Sequence, residues 1–354
     1  MKRLLYEVLG EFGIDTGNIT IEDLHNGLIN NTYKVITESK NYILQKINTV
    51  VFKQPEQILE NIASIGEYLL KYYPAYIYTN PIATTDNRFL VYKHAECYRL
   101  MPYINDSVTC NVLTSENLAE AAAEQFSLFT KNLEYFDIEK LNTTIPDFHN
   151  LTLRYKQYSE ALLNGNPQRI DNCKSIIETI DSYNWIVEEY QKIVVNPEFK
   201  KRVTHHDTKI SNVLFDKYGN GICVIDLDTV MPGYFISDLG DMMRTYLSAV
   251  SEEEQDLSLV AVRPTYFKAV VKGYLKYMSS VLTDTEKQYI VYSGAFMIYM
   301  QALRFFTDYL NDDKYYGAKY PEHNLIRATN QLALLKSYDG MKDELTEMVL
   351  SEIR

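Results

Sequence analysis

Residues 203–233, VTHHDTKISNVLFDKYGNGICVIDLDTVMPG, predict a polar loop that leads into a tight β-hairpin. Two short apolar runs in this segment are strand-like, and they flank a turn at 218–221 that is rich in glycine. Asn212 and Asp226 lie equally far in sequence from Gly219. A hairpin folded about that glycine therefore places the two side chains next to each other at its open end.

This arrangement suits phosphoryl transfer, where catalysis consists mainly of positioning and charge stabilisation. Mg²⁺ is a hard ion that prefers oxygen ligands, which Asn212 and Asp226 supply. Asp207, on the loop before the first strand, can accept the proton of an attacking hydroxyl. Lys209 follows within reach of a γ-phosphate, and His205 is expected to brace the loop.

The spacing H-x-D-x-x-x-x-N, followed by an apolar-apolar-Asp strand, is the pattern of the protein-kinase-like superfamily. The alternative is a polar turn in which Asn212 and Asp226 only cap backbone groups, and the hairpin context favours the kinase reading. Asp228 is open between a place in the acidic cluster and a role in fixing the loop. The chain has no G-x-x-x-x-G-K-[ST] run, which excludes a P-loop.

The first hundred residues predict a small antiparallel sheet with one helix. Strands are expected at 32–36, 42–47, near 83, at 89–93 and at 98–101, with a helix at 55–71 and an amphipathic helix at the N-terminus. After Pro102 the pattern becomes helical, with helices expected from 114 and over 150–164, 167–193, 253–281, 284–311 and 323–353. The chain thus predicts an α+β, bilobal protein-kinase-like fold, with lobes at 1–103 and 104–354.

Five residues of the small lobe are expected to bind ATP: Gly27, Asn31, Lys46, Met101 and Tyr103. Gly27 and Asn31 lie in LHNGLINNTY, where a kinase folds a strand-turn over the phosphates, although a plain hairpin turn explains Gly27 equally well. Lys46 is the natural phosphate partner, and a solvated edge lysine is the alternative. Strand alternation lets only Gln45 or Lys46 face the cleft. Met101 and Tyr103 fall at the expected hinge beside adenine.

Composition limits the function classes. With 354 residues the chain is long enough for two lobes. Its net charge of −12 disfavours nucleic acid as a partner, and no apolar run approaches the roughly 20 residues that span a bilayer. The four cysteines form no C-x-x-C pair and are interpreted as packing residues. A cytoplasmic protein without membrane partners is expected, and its oligomeric state is open.

The runs THHDTKISNVLFD, VIDLDTVMPG and ALRFFTDYLNDDKYYGAKYPEHNLIR resemble the N-acetylhexosamine 1-kinases, and so does NGLINNTYKV with YILQKINTVVF. These kinases belong to the aminoglycoside phosphotransferase and choline kinase superfamily. The resemblance covers both lobes. It implies transfer from ATP, with Mg²⁺, to the anomeric hydroxyl of N-acetylglucosamine or N-acetylgalactosamine. It also implies a base, two metal ligands and three sugar contacts: Asp207; Asn212 and Asp226; and Thr229, Arg304 and Tyr315.

One position departs from this family, because Leu28 stands where the family has histidine in the early turn. Losing that hydrogen bond would change acceptor discrimination. The alternatives are therefore a kinase of another small alcohol (another sugar, an aminoglycoside or a choline-like molecule), a non-catalytic kinase-like binding module, and a magnesium-dependent phosphohydrolase. Asp238 and Asp241 are expected to brace the catalytic loop, and the block at 319–324 to serve as a structural brace.

Overall fold

The computed structural model of the protein describes residues 2–24 and 30–353, without the side chain of residue 2. The fold is α+β, as predicted, with an antiparallel sheet in the N-terminal region and a mostly helical remainder. Gly27 and Leu28, which carry the predicted phosphate turn and the departure from the family, lie outside the described residues. In the described part of the chain, none of the helices has the length and apolar character needed to cross a membrane.

The N-terminal sheet has five antiparallel strands in the order β1-β2-β3-β5-β4. They are β1 (Thr20–Asp23), β2 (Asn31–Ile36), β3 (Asn41–Ile47), β4 (Val91–Lys93) and β5 (Glu96–Pro102). Strand β1 was not predicted, because TIED carries two acidic residues and little apolar character. The strand expected near residue 83 is a single bridge between Ile82 and Leu100. The sheet ends at Pro102, close to the predicted lobe boundary at 103, which stays a prediction.

Two helices cover opposite faces of this sheet. Helix α1 (Lys2–Glu11) packs its apolar stripe on one face, where Tyr33, Leu44 and Leu100 are buried. Helix α2 (Pro55–Tyr72) begins with a proline, which the first helical turn tolerates, and buries Ile58, Ile62, Ile65 and Leu69 towards the remainder of the molecule. The alternation of strand side chains therefore assigns each sheet residue either to the α1 face or to the face that looks towards the helical region.

The helical region is more divided than its sequence predicts. Its helices are α3 (Glu116–Asn132), α4 (Leu151–Asn164), α5 (Pro167–Asn172), α6 (Lys174–Ser182), α7 (Trp185–Val195), α8 (Phe235–Tyr246), α9 (Pro264–Met278), α10 (Asp284–Gln288), α11 (Ile290–Leu310), α12 (His323–Gly340) and α13 (Lys342–Ile353). The single helices expected over 167–193, 284–311 and 323–353 are wrong, because each is broken by a non-helical residue such as Cys173, Tyr289 or Met341. Helix α9 also begins well after residue 253.

Helix α8, which was not predicted, packs closely against the central helix α11. A side chain at Gly240 would bring its first carbon within 2.3 Å of the Ser293 carbonyl oxygen, so glycine permits this approach. Both helices are buried along most of their length. Helix α8 consequently forms a rigid support directly behind the segment that carries the predicted chemistry.

Five short strands frame that segment: β6 (Val108–Thr109), β7 (Arg202–Thr204), β8 (Val213–Phe215), β9 (Gly221–Val224) and β10 (Met231–Gly233). Strands β8 and β9 form the predicted hairpin, and β6 adds a third strand beside β8. Strands β7 and β10 pair with each other. The segment at 205–212 connects β7 to β8, and the segment at 225–230 connects β9 to β10. Because β7 pairs with β10 and β8 pairs with β9, these two loops are held close together.

Candidate active site

The open end of the β8–β9 hairpin brings Asn212 and Asp226 together, as predicted. The backbone N–H of Ile225 donates to the carbonyl oxygen of Asn212 at 2.9 Å, which extends the ladder beyond the strands. The side-chain amide of Asn212 donates to the carbonyl oxygen of Asp207 at 2.8 Å and to its Oδ2 at 3.1 Å. One amide therefore fixes the predicted base against the predicted metal site.

Asp207 forms an ion pair with Lys209, with Nζ 2.9 Å from Oδ1. Burial opposes ionisation of this carboxyl, but the charge of Lys209 prevails and holds the pKa of Asp207 below its ordinary value. In return, Asp207 raises the pKa of Lys209. The carboxylate is thus ionised at neutral pH and can accept a proton, while the ammonium group is placed beside it.

The Asp226 carboxyl is reached by solvent, yet it lacks a compensating partner. Desolvation by the surrounding protein, followed by the charges of Asp228 and Asp207, raises its pKa to about 7. Within residues 2–24 and 30–353, no side chain or N–H donates a hydrogen bond to it. Its backbone has a φ of 58°, a left-handed conformation that aspartate tolerates better than most residues. A carboxylate in this setting is stabilised by a nearby cation.

Mg²⁺ fits these residues. Asn212 and Asp226 present an amide oxygen and a carboxylate on adjacent loops, which are the ligand types that the ion prefers. No group of three or more His, Cys, Asp or Glu side chains in the described ranges is placed to hold a metal. Beside nucleotide phosphates, Mg²⁺ commonly takes only one or two carboxylates from the protein.

Asp238 and Asp241, both on helix α8, brace the predicted catalytic loop, as expected. The Asp238 carboxylate accepts hydrogen bonds from the backbone N–H groups of His205 at 3.0 Å and His206 at 2.7 Å. Asp241 accepts one from the N–H of Thr208 at 2.8 Å. Because α8 is itself buried, these carboxylates fix the backbone on both sides of Asp207.

His205 and Thr229 join the catalytic loop to the loop after β9. The ring Nε2 of His205 lies 2.9 Å from the carbonyl oxygen of Ile225, which confirms the expected bracing role. The hydroxyl of Thr229 donates to the carbonyl oxygen of His205 at 2.6 Å and is buried. The structure therefore shows Thr229 linking two loops, and its contact with a sugar stays a prediction.

Lys46 lies on the α1 face of the sheet. Its Nζ pairs with Glu96 at 2.8 Å. Lys46 and Asn31 line a shallow cavity of about 270 Å³ at the end of β2 and β3. Gln45, not Lys46, lies on the face of the sheet that looks towards the helical region. A contact between Lys46 or Asn31 and nucleotide phosphates stays a prediction.

Gln45 and Arg99 occupy the face that looks towards the helical region. They are partners in the β3–β5 register, and the Nε of Arg99 donates to the Oε1 of Gln45 at 2.9 Å. Arg99 also donates to the carboxylate of Asp228. Sequence reasoning missed Arg99, because nothing local in β5 indicates a partner so far along the chain.

The predicted hinge residues lie at the end of β5. Met101 is buried on the same strand face as Arg99. The N–H of Tyr103 donates to the carbonyl oxygen of Asn41 at 3.2 Å, and the ammonium group of Lys34 lies 4.3 Å from the centre of the Tyr103 ring. Both residues are placed where the sheet passes into the helical region, and their contact with adenine stays a prediction.

Arg304 and Tyr315, predicted from the resemblance as sugar contacts, line one cavity of about 440 Å³ between α4 and α11. The Arg304 guanidinium carbon lies 5.3 Å from the centre of the Phe148 ring, which lies 6.5 Å from that of His206. Tyr315 is 72% exposed. One aromatic layer therefore separates the arginine end of this cavity from the catalytic loop.

Arg154 is a second guanidinium in this cavity, and no sequence pattern indicates its role. It donates to the carbonyl oxygens of Asp147 at 2.9 Å and Phe148 at 3.2 Å and to Gln157 at 3.0 Å, while its buried Nε has no hydrogen-bond partner in the described structure. Burial and then the charge of Arg304 lower the pKa of Arg154. Among the residues described, neither arginine lies within ion-pair distance of a carboxylate.

The block at 319–324 holds the Tyr315 loop on α11. The side-chain amide of Asn324 donates to Asp308 at 3.1 Å, to Asp313 at 2.9 Å and to the carbonyl oxygen of Gly317 at 3.0 Å. Asp308 also accepts the backbone N–H of Tyr315 at 2.7 Å. The expected bracing role of this block is confirmed, and what it braces is one wall of the cavity.

Residues 20–268 match the profile of the phosphotransferase enzyme family. The chain belongs to this family. The prediction of a small-molecule phosphotransferase is confirmed.

Solved structures with the same fold match this phosphotransferase over nearly its whole length. A spectinomycin phosphotransferase in complex with ADP and spectinomycin is 15% identical, with a TM-score of 0.59 over 99% of this chain and 98% of that one. A microcompartment-associated aminopropanol kinase is 14% identical, with 0.60 over 97% and 98%. A choline kinase from Cryptosporidium parvum Iowa II is 12% identical, with 0.55 over 100% and 99%. The predicted kinase-like fold is thereby confirmed.

Proposed function

We propose that this phosphotransferase uses ATP and Mg²⁺ to phosphorylate the anomeric hydroxyl of an N-acetylhexosamine, giving the sugar 1-phosphate. The observation that carries the proposal is the contact of the Asn212 amide with Asp207, which joins a proton acceptor to a pair of metal-ligand side chains. The sugar is favoured by the resemblance to N-acetylhexosamine 1-kinases and by the chemistry of the cavity behind the catalytic loop.

In this proposal, Asp207 accepts the proton of the sugar hydroxyl as the oxygen attacks the γ-phosphorus of ATP. The bond from that phosphorus to the bridging oxygen of the β-phosphate breaks, and ADP leaves. The base is kept ionised by Lys209, which pairs with it at 2.9 Å and whose ammonium group would contact the phosphoryl oxygens. Asn212 and Asp226 would hold the metal. Bound Mg²⁺ would neutralise negative charge on the nucleotide phosphates. Helix α8 keeps these groups in place, which is the larger part of catalysis in phosphoryl transfer.

The cavity favours a neutral acceptor over a cationic one. Two carboxylates also line the cavity, but Glu160 pairs with Lys156 at 3.8 Å and Asp308 accepts the N–H of Tyr315 at 2.7 Å. Arg154 and Arg304 have no carboxylate partner in the described structure, so they would repel the ammonium groups of choline or an aminoglycoside. A guanidinium offers forked N–H donors that suit hydroxyl groups and an acetamido carbonyl. The ring of Tyr315 can supply an apolar face for a sugar.

The test is incubation of the protein with ATP, Mg²⁺ and either N-acetylglucosamine or N-acetylgalactosamine, followed by phosphorus NMR. We expect an anomeric 1-phosphate and no product without the sugar. Phosphorylation of only choline, an aminoglycoside or an unrelated sugar would reject the proposed acceptor while keeping the enzyme class. Phosphate release at a rate independent of any acceptor would instead identify a phosphohydrolase.

We also propose that the enzyme acts in the cytoplasm, where ATP is available. The support is the amphipathic character of the N-terminal segment, which forms α1 and packs Leu5, Val8 and Leu9 on the sheet. Cell fractionation with an antibody to the protein would test this location, and recovery in an extracellular or membrane fraction would reject it.

A further inference from the structure

A buried ion pair crosses from the N-terminal sheet to the segment that follows the metal-binding aspartate. Arg99 on β5 donates to the carboxylate of Asp228, 129 residues further along the chain. Both side chains are only 2% exposed. Arg99 is held in turn by Gln45, its partner across the strands, at 2.9 Å. The pair therefore links the N-terminal sheet to the loop that follows Asp226.

Two asparagines of the N-terminal region reinforce this link. The side-chain amide of Asn30 donates to the second carboxylate oxygen of Asp228 at 2.9 Å, and Asn30 itself accepts the N–H of Asn48 at 3.0 Å. Asn61 on α2 donates to the carbonyl oxygen of Val230 at 3.0 Å. Both oxygens of Asp228 and the backbone two residues on are thus bound by groups of the N-terminal region.

These contacts decide what Asp228 can do. A buried carboxylate with both oxygens bound by Arg99 and Asn30 is already neutralised and satisfied. Asp226, two residues earlier, faces solvent and receives no hydrogen bond from the described residues. The two aspartates therefore occupy opposite environments, and Asp228, whose role the sequence leaves open, fixes the loop.

We propose that Arg99 is a positioning residue of the phosphotransfer site: through Asp228 it fixes the loop that carries Asp226 beneath the sheet, and it makes Asp228 an anchor rather than a metal ligand. This inference rests on the proposed use of ATP and Mg²⁺. Its physical basis is that loss of one member of a buried pair leaves the other charge uncompensated. The loop would then rearrange, and Asp226 would move with it.

The test measures the Mg²⁺ concentration that half-saturates the ATP-induced increase in melting temperature, and the same quantity for activity. We expect Arg99→Met and Asp228→Asn each to raise it about tenfold or more, the usual size of effects from groups that orient metal ligands. Arg99→Lys should restore part of the loss. The double variant Arg99→Met/Asp228→Asn should be no worse than the worse single variant, because both remove one interaction.

Arg263→Met is the matched control. Arg263 is also partly buried, but it binds the carbonyl oxygens of Tyr246, Leu247 and Ser248 and no group of the site. It should lower the melting temperature without changing the Mg²⁺ requirement. If Arg99→Met has the same effect as this control, the inference is wrong and Arg99 is only structural. Should Arg99→Met fail to fold, Arg99→Lys and Asp228→Asn carry the same comparison.

Two further outcomes separate this inference from the proposed function. If Asp228→Asn removes the Mg²⁺ response as fully as Asp226→Asn while the Arg99 variants keep it, Asp228 is a ligand and the inference fails alone. If the wild-type protein shows no melting shift with ATP and Mg²⁺, the nucleotide function fails and this inference falls with it. A shift without sugar phosphorylation rejects the acceptor only, and the Arg99 comparison stands.

Discussion

The side-chain amide of Asn212 lies 2.8 Å from the carbonyl oxygen of Asp207 and 3.1 Å from its Oδ2, so the two residues are fixed to each other in the protein alone. The amide nitrogen is occupied by Asp207, which leaves the amide oxygen free to face a cation. This orientation is what a metal ligand needs, and it makes the base and the metal site one unit.

Asp207→Asn should separate proton transfer from nucleotide binding. We expect turnover to fall by about 100- to 10,000-fold, the usual contribution of a general base. The ATP- and Mg²⁺-induced shift in melting temperature should stay close to that of the wild type, because Asn212 and Asp226 are untouched. Steady-state kinetics and thermal unfolding of the same preparation check this. Turnover within a few-fold of the wild type would show that another group accepts the proton.

Asp226→Asn should stabilise the protein without metal and remove its response to metal. The raised pKa of Asp226 means that the folded state holds the proton more tightly than the unfolded chain does. The ionised carboxylate therefore costs stability as pH rises from about 4 through 7. At pH 8 with EDTA, we expect the variant to melt a few degrees above the wild type. With ATP and Mg²⁺ it should show little or no shift.

Asp106→Asn provides the control for that comparison, because Asp106 also has a positive φ of 56° but lies outside the acidic cluster. It should leave both the melting temperature in EDTA and the response to Mg²⁺ close to the wild type. A lower melting temperature for Asp226→Asn at pH 8 would contradict the electrostatic explanation, whatever happens to activity.

Arg154→Met tests the cavity. If the Arg154 guanidinium binds an oxygen of the acceptor, the variant should raise KM for the sugar about 10- to 100-fold, the range for a hydrogen bond to a charged group. The KM for ATP should change little. Lys156→Met, on the same helix but with a 71% exposed side chain, is the matched control and should keep both values. An unchanged sugar KM in Arg154→Met would exclude the arginine from the acceptor site.

The sequence predicts best what is local. The hairpin, its turn and the adjacency of Asn212 and Asp226 follow from a run of about 20 residues whose strand and turn chemistry agree. The expected helix at 55–71 follows from its apolar stripe in the same way, and it is observed over Pro55–Tyr72. The spacing of apolar residues and the turn residues within each segment are enough to predict these elements, without information from the remainder of the chain.

Features that depend on contacts between distant segments could not be predicted from local patterns. Alternation shows that Gln45 and Lys46 face opposite sides, but the sides differ only because α1 covers one of them. The environment of Asp228 depends on Arg99, at a distance in sequence that no local pattern reports. The break within 167–193 falls at a residue with no proline or glycine signal beside it, Cys173. Each of these features is fixed by packing between segments.

His206→Asn should weaken the loss of stability in acid. Burial lowers the pKa of His206 to about 4, so below its ordinary pKa the unfolded chain binds a proton that the folded state refuses. This costs about 1 kcal/mol between pH 7.5 and 5.5, and the substituted asparagine would carry no such proton.

Asp238 acts in the opposite direction, since burial raises its pKa to about 6, but it is present in both proteins. His94→Asn is the control, because His94 is exposed and has a similar positive φ. Urea unfolding at both pH values should show a smaller decrease for His206→Asn only, and equal decreases in all three proteins would contradict the assignment.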